Sequence, residues 1–122
     1  MPQDMDTRYN IEQKILQKIV DYCNLYKNEE SCGIIVQSND SQKFIPCENI
    51  AIDKQKYFAL DSSIYIDYDV DMIVHSHCLG SAKPSDLDKK CADEWDIPFL
   101  IYSTIDNNFC LYYNKSVTTF KV

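Results

Sequence analysis

Apolar residues follow two different spacings along this chain, and the change between them restricts the fold to a mixture of helix and sheet. Between residues 10 and 27 they recur every three or four positions, which is the period of an amphipathic helix. Asn10, with Gln13 three residues later, is expected to form a capping box at its start. The later apolar runs are short and rich in β-branched or aromatic residues, as in buried strands. The pattern therefore predicts an α/β fold.

The later runs also place the strands and a second long helix. Strands are expected at residues 31–36, 43–47, 56–60, 71–77, 98–104, 109–113 and 117–122. A polar turn over 37–42 would join the first two strands as a hairpin, and 61–68 fits either a short helix or a strand. Ser85 is expected to cap a helix over 86–95.

The length of 122 residues corresponds to one domain, expected over 10–122 after a flexible N-terminus at 1–9. No apolar run approaches the ~18 residues that span a membrane, and the first residues lack the basic and apolar regions of a signal peptide. We therefore expect a cytoplasmic protein that is neither secreted nor inserted in a membrane. The six cysteines include no Cys-x-x-Cys pair and are expected to be free thiols.

The charge of the chain excludes one broad class of function. The formal net charge is −7. A nucleic-acid-binding protein needs a basic surface to displace counterions from phosphates, so nucleic acid is not an expected partner. The surplus carboxylates are expected to form a solvated surface.

Both histidines of the chain, His75 and His77, stand one residue apart at the end of a predicted strand. Side chains two positions apart on a strand point to the same face. Two neighbouring imidazoles suit a Zn²⁺ ion, which binds histidine nitrogen at about 2.0–2.1 Å. The alternative is that both are ordinary strand residues.

A third metal ligand is available at the start of the next helix. With Ser85 as the N-cap, Asp88 projects from the first turn, and Gly80 would let the intervening loop fold back towards the strand. Two histidines and a carboxylate leave one position for water, which is typical of a catalytic zinc site. The alternative is an ordinary capping pair, but the coincidence with both histidines favours the metal site.

A zinc hydrolase also needs a general base, and Glu30 is a candidate. It precedes the first predicted strand, where Glu30, Cys32 and Ile34 share one face by alternation. A carboxylate in that position can accept a proton from water. The residues alone leave the assignment open, because Glu29 is adjacent and surface glutamates are usually only solvated.

The spacing of these residues matches a known motif. His75-Ser-His77, seven residues, Ser85, two residues and Asp88 form a His-x-His-x7-Ser-x2-Asp pattern. Together with Glu30-Ser-Cys-Gly33, it resembles the JAMM (MPN+) zinc metalloprotease family over about residues 11–113. The resemblance implies a curved mixed β-sheet flanked by helices, related to the cytidine-deaminase class. It also implies zinc-dependent hydrolysis of peptide or isopeptide bonds.

The resemblance further implies a role for each residue of the motif. His75, His77 and Asp88 fall on the family's metal-ligand positions, with one Zn²⁺ per chain. Glu30 falls on the base that activates the hydrolytic water. Ser85 falls on the serine that helps to hold the developing oxyanion.

Three nearby residues are expected to have no role in the chemistry. Cys78 replaces the proline that usually follows the second histidine in the family, and by alternation it points away from the metal. Cys91, one turn after Asp88, is expected to be a buried thiol rather than a ligand. Trp95 is expected to pack in or beside the core rather than serve as a substrate platform.

Within the family, the chain more closely resembles the JAMM domain at the front of bacteriophage tail assembly proteins. The matching segments are Phe44-Ile-Pro46, Glu48-Asn-Ile-Ala51, Phe58-Ala-Leu60 and Cys91 followed by Ile97-Pro-Phe-Leu-Ile101. Such proteins often carry a second, cysteine-peptidase domain, so the chain would be an excised domain or a stand-alone version.

This closer resemblance implies a peptide or protein substrate, such as a tail protein or a ubiquitin-like protein, and the host cytoplasm as the location. The substrate is expected to lie extended along a sheet edge near the histidine strand. The alternative is a non-catalytic tail-assembly or scaffold module of the same fold.

Overall fold

A computed structural model describes residues 10–122, so the flexible N-terminus expected at 1–9 lies outside the described residues. Three helices and six strands follow one another in the order α1 (Gln13–Leu25), β1 (Cys32–Ser38), β2 (Ser41–Cys47), α2 (Ser63–Asp67), β3 (Val70–His77), α3 (Asp86–Trp95), β4 (Phe99–Ser103), β5 (Asn108–Tyr113) and β6 (Ser116–Phe120). No helix within residues 10–122 is long and apolar enough to cross a membrane.

The strands form one mixed sheet in the order β2-β1-β3-β4-β5-β6. β3 and β4 are parallel and joined through α3, whereas the other neighbouring strands are antiparallel. The predicted fold, a mixed β-sheet flanked by helices, is therefore confirmed. Because β3 is paired on both sides, a substrate strand cannot pair directly with it, and the two edges of the sheet formed by residues 10–122 belong to β2 and β6.

The alternation of side chains along β3 divides the core into two layers. Met72 and Val74 face α1 and pack against its buried apolar residues Ile15, Leu16, Ile19 and Cys23. Ile73 faces the other side, where it packs with Phe99 and Ile101 of the next strand and with Ala92 of α3. The odd-numbered residues that follow Ile73 on β3 therefore point towards α3. This is the side on which the candidate site lies.

The start of α1 differs from the prediction. The helix covers Gln13–Leu25 rather than 10–27, and its N-cap is Glu12, which makes no side-chain capping bond. The predicted capping box of Asn10 and Gln13 is wrong because a long-range contact replaces it. Gln42 of β2 donates through Nε2 to the Asn10 carbonyl at 2.6 Å, and its Oε1 accepts the Glu12 N–H at 2.8 Å.

Two predictions about β-structure also need correction. The turn expected over 37–42 is confined to residues 39–40, because Asn39 adopts a φ of 55° and lets the strands continue to the turn. The strand expected at 56–60 is wrong, since no strand lies between β2 and β3. Of the two alternatives for 61–68, the structure has the helix α2.

All six cysteines lie within the described residues, and none of them forms a disulfide. The free thiols that the sequence predicts agree with this arrangement. Burial raises the pKa of the Cys23 and Cys32 thiols to about 12, which keeps both in the unreactive protonated form at neutral pH.

The two glycines of the chain give a matched test of packing. A Cβ atom at Gly33 would lie 2.6 Å from the Ile45 carbonyl oxygen and 2.6 Å from the Phe44 ring of β2. A Cβ atom at Gly80 would have no neighbour within 4 Å. Gly33 therefore permits the close approach of β1 and β2, whereas the surroundings of Gly80 have room for a larger residue.

We predict that Gly33→Ala lowers the free energy of unfolding by about 1–3 kcal/mol, because the backbone of β2 must shift to admit the methyl group. Gly80→Ala should change it by less than about 0.5 kcal/mol. Urea denaturation followed by circular dichroism measures both values. Equal losses for the two variants would contradict the packing argument.

Candidate metal centre

His75 and His77 lie at the end of β3 and point towards α3, as their spacing predicts. Their ring centroids are 5.2 Å apart. His75 is completely buried, whereas His77 is partly exposed at the wall of a cavity. The pair therefore presents one inner and one outer imidazole on the same face of the sheet.

Asp88 is brought to the histidines by the cap of α3. The Ser85 side chain accepts the Asp88 N–H, and Asp88 Oδ2 accepts the Ser85 N–H, each at 3.0 Å. This reciprocal capping box fixes the carboxylate in the first turn. Asp88 Oδ1 lies 3.2 Å from His75 Nε2, and Oδ2 lies 3.0 Å from His77 Nε2.

The donor atoms of these three residues fit a zinc ion. One nitrogen from each of His75 and His77 and one Asp88 oxygen all lie within 4.8 Å of one another. Both ring nitrogens of His75 are buried and make no hydrogen bond within residues 10–122. A buried ring nitrogen that makes no hydrogen bond costs about 1–3 kcal/mol, and a metal bond at Nε2 would remove this cost. Two nitrogens and one oxygen are also the ligand set of open zinc sites.

The loop after β3 orients the outer histidine. His77 Nδ1 lies 2.7 Å from the Ser81 carbonyl oxygen, which can only accept, so Nδ1 carries the hydrogen and Nε2 remains as the ligand atom. Ser103 of β4 fixes the same loop by donating to the Gly80 carbonyl at 2.6 Å. Gly80 has no positive φ, so the expected dependence of this loop on glycine is wrong.

The electrostatics of the centre favour a bound cation. Burial lowers the pKa of His75, but the facing carboxylates of Asp88 and Glu30 outweigh it and raise the pKa to about 9. Burial raises the pKa of Asp88, but His75, His77 and the Ser85 N–H hold it well below its usual range. Asp88 is therefore anionic at neutral pH, and a metal at His75 would displace a proton.

Glu30 lies on the other side of His75. Its side chain is almost fully buried, and Oε1 is 3.6 Å from His75 Nδ1. Glu30 lines the same cavity as His77 and Asp88, whereas Glu29 does not. Of the two adjacent glutamates, the structure therefore places Glu30 beside the metal group, that is, the cluster of His75, His77 and Asp88.

Neither of the nearby cysteines joins the metal group. Cys78 is buried, donates through Sγ to the Gln55 carbonyl at 3.4 Å, and lies outside the group of possible metal ligands within residues 10–122. Cys91 is half-buried at the cavity wall, outside the group of possible metal ligands within residues 10–122.

Sequence reasoning missed Asn49, which holds the segment beside Glu30. Its buried amide nitrogen donates to the carbonyl oxygens of Glu30 at 2.8 Å and Tyr57 at 3.0 Å. Its amide oxygen accepts the N–H groups of Ala51 at 3.0 Å and Ala59 at 3.1 Å. These bonds close the segment into a loop, which explains why it contains no strand. No local pattern distinguishes Asn49 from the other asparagines.

Phe58 was also missed, because its segment was predicted to be a strand. Its ring stacks on His75 with centroids 4.2 Å apart and an interplanar angle of 20°. Phe99 contacts the same imidazole edge-on at 5.6 Å. The two phenylalanines therefore fix the orientation of the inner histidine.

The fold and this centre define a mixed α/β domain with a His-His-carboxylate group at the end of an interior strand. Residues 12–112 match the family described as prokaryotic homologs of the JAB domain. The chain belongs to this family, and the predicted resemblance to the JAMM (MPN+) family is confirmed.

Individual relatives agree with this assignment. The chain is 29% identical over 97 residues to tail tip assembly protein K of Escherichia phage N15, and the match covers 76% of the chain but only 40% of that protein. The fold resembles a solution structure from Desulfitobacterium hafniense (TM-score 0.66, 18% identity, 91% of this chain and 88% of that one). It also resembles a JAB1/MPN domain protein from Archaeoglobus fulgidus (TM-score 0.57, 18% identity, 88% and 93%).

We predict that Asn49→Ala lowers the free energy of unfolding by about 3 kcal/mol or more, because it leaves several backbone groups without their partner. Asn28→Ala, at an exposed turn position, should change it by less than about 0.5 kcal/mol. Urea denaturation of both variants provides the comparison. Similar small effects would show that the amide does not hold the loop.

Proposed function

We propose that this chain is a zinc-dependent metallopeptidase that hydrolyses a peptide or isopeptide bond. His75, His77 and Asp88 would hold one Zn²⁺ ion. The observation that carries the proposal is the convergence of their ligand atoms within 4.8 Å, in a cavity that Glu30 also lines. A group with three protein ligands at an open cavity matches a catalytic zinc site rather than a closed structural one.

Glu30 is the proposed general base. Zinc, when bound, supplies a water of pKa near 7 and polarises the oxygen of a carbonyl group. The Glu30 carboxylate accepts the proton of the attacking water and can return it to the leaving amine. Its burial beside His75 keeps it within reach of the metal group and limits its contact with bulk water.

Ser85 is the proposed oxyanion donor. Its oxygen accepts the Asp88 N–H, which leaves the hydroxyl hydrogen free to donate. Ser85 is exposed to the same cavity as His77 and Asp88. The hydroxyl therefore can donate to the oxygen of a carbonyl that is attacked at the metal, where negative charge develops.

These residues suit acyl transfer rather than phosphoryl transfer. The sequence has only two glycines and no glycine-rich phosphate loop. The net charge of −7 also disfavours a polyanionic substrate by long-range repulsion. A protein or peptide amide is therefore the proposed substrate.

A second candidate function is a non-catalytic module for tail assembly. The match to a tail tip assembly protein favours it, and the chain spans about 40% of that relative's length. In this case a tail protein would be the partner, and the host cytoplasm the place of action. The two candidates differ in what they require: a peptidase needs zinc and Glu30, whereas an assembly module needs neither.

We predict about one zinc ion per chain after purification without chelator, measured by elemental analysis. His77→Ala should lose most of it, because two remaining ligands hold zinc poorly. This variant is preferable to His75→Ala since His77 is partly exposed, and circular dichroism checks its fold. Parent protein without stoichiometric metal would contradict the metal site.

We predict that Glu30→Gln keeps zinc and fold but lowers turnover by about 10²–10⁴-fold, because an amide cannot accept the proton of water. Glu29→Gln is the matched control and should retain activity. Cleavage of a peptide mixture, followed by mass spectrometry, measures both. Equal activity of Glu30→Gln and the parent would favour a different base, and cleavage resistant to chelators would contradict the zinc mechanism.

We predict that Ser85→Ala lowers turnover by about a hundredfold or more with little loss of zinc, on the scale of one oxyanion donor. The substitution also removes the cap of α3, at about 1 kcal/mol of stability. Ser85→Thr retains both the cap and a hydroxyl, so it should recover activity. Full activity of the alanine variant would exclude this role for Ser85.

A further inference from the structure

The cavity at the metal centre extends well beyond the metal group. Its volume is about 500 Å³, within the range of roughly 300–1,000 Å³ typical of ligand pockets. Much of the remaining lining is apolar and comes from Phe58, Leu79, Leu87, Trp95 and Phe99. The chemistry of amide hydrolysis does not require this apolar part, so it needs a separate explanation.

Three of these apolar side chains are exposed in the absence of a ligand. The exposed fractions are 64% for Leu79, 50% for Leu87 and 51% for Trp95. Single exposed apolar residues are ordinary, but several around one cavity mark a binding surface. A ligand that covers them would gain the free energy of removing them from water.

The apolar wall is fixed relative to the metal group. Leu87 precedes the ligand Asp88 in the first turn of α3, and Trp95 ends the same helix. The Trp95 ring is held by Phe99, with centroids 6.0 Å apart, and by Tyr65 at 6.3 Å. The Trp95 ring, held in this way, loses little freedom when a ligand binds.

The charges at the cavity exclude other types of side chain. Glu30, Asp86 and Asp88 contribute carboxylates, and Lys56 contributes one ammonium group. With zinc bound, its two positive charges and Lys56 would offset the three carboxylates, so no charged side chain gains a net attraction, and any charged or polar one would lose hydration against Phe58 and the other apolar residues. A large apolar side chain needs no charged partner, and it gains free energy when it leaves water for the apolar lining.

We propose that this cavity is a substrate subsite for a large apolar side chain, aromatic or long aliphatic, of a residue that flanks the cleaved bond. Leu79, Leu87 and Trp95 are its specificity-determining residues. The inference rests on the proposed function, since the metal group would define the cleaved bond. It revises the expectation that Trp95 only packs beside the core.

Binding can be tested without turnover, because Trp95 is the only tryptophan of the chain and its emission reports on the cavity. The zinc-loaded Glu30→Gln chain is titrated with phenylalanine, leucine and glycine hydroxamates, which chelate zinc and differ in side chain. The phenylalanine and leucine compounds should bind at least about tenfold more tightly than the glycine compound. Equal affinities would overturn the proposal.

The wall residues provide the variants for the same titration. In a background of Glu30→Gln, Leu79→Gln with Leu87→Gln should remove most of the preference for the apolar hydroxamates. Leu25→Gln is the matched control, since Leu25 is 72% exposed on α1 and does not line the cavity. A preference that survives the double substitution would overturn the assignment of these residues.

Cleavage of a peptide mixture by the zinc-loaded parent chain separates this inference from the proposed function. Products should be enriched in large apolar residues at one position next to the cleaved bond. Cleavage without such enrichment would overturn the subsite and leave the peptidase function standing. A hydroxamate preference without any cleavage would contradict the peptidase function and overturn the assignment to a residue beside a cleaved bond, leaving only an apolar pocket next to the metal group.

Discussion

The arrangement of the site depends on the contacts that the Asp88 carboxylate makes. One of its oxygens accepts the N–H of the N-cap Ser85, and the two oxygens reach the two histidines of β3. The same group therefore starts α3 and fixes that helix against the end of β3. The parallel crossover from β3 to β4 brings α3 back over the sheet. Asp88 then fixes the start of this helix, and with it the wall residues Leu87 and Trp95.

The inner half of the site depends on how Glu30 is held. The pairing of β1 with β3 continues beyond Cys32, since the Ser31 N–H donates to Ser76 Oγ at 2.8 Å and the Ser76 N–H donates to the Ser31 carbonyl at 2.9 Å. Asn49 fixes the Glu30 carbonyl from the other direction. Because the backbone is held on both sides of Glu30, the carboxylate reaches His75 without a long flexible connection.

How well each part of the structure can be predicted from the sequence depends on how far apart along the chain its interacting residues lie. The spacing of His75 and His77 and the capping pair Ser85 and Asp88 are local patterns, and both appear in the structure as expected. The loop closed by Asn49 depends on contacts up to 19 residues away, and a strand was predicted in part of it. Similarly, Gln42 replaces the local cap of α1 through contacts about 30 residues away. Patterns in a single sequence do not encode such pairings.

The buried charges around His75 are better explained by the proposed metal site than by packing alone. His75 is completely enclosed between two carboxylates, with both ring nitrogens lacking a hydrogen bond within the described residues. Replacing a buried charged group by well-packed apolar residues is often neutral or stabilising by about 1–4 kcal/mol. A domain that served only to present a surface would fold at least as well with apolar residues in place of His75 and the two carboxylates that face it. A cation held by His75, His77 and Asp88 would give these buried groups a function, because it would bind the inner imidazole and neutralise the carboxylate that holds α3 in place.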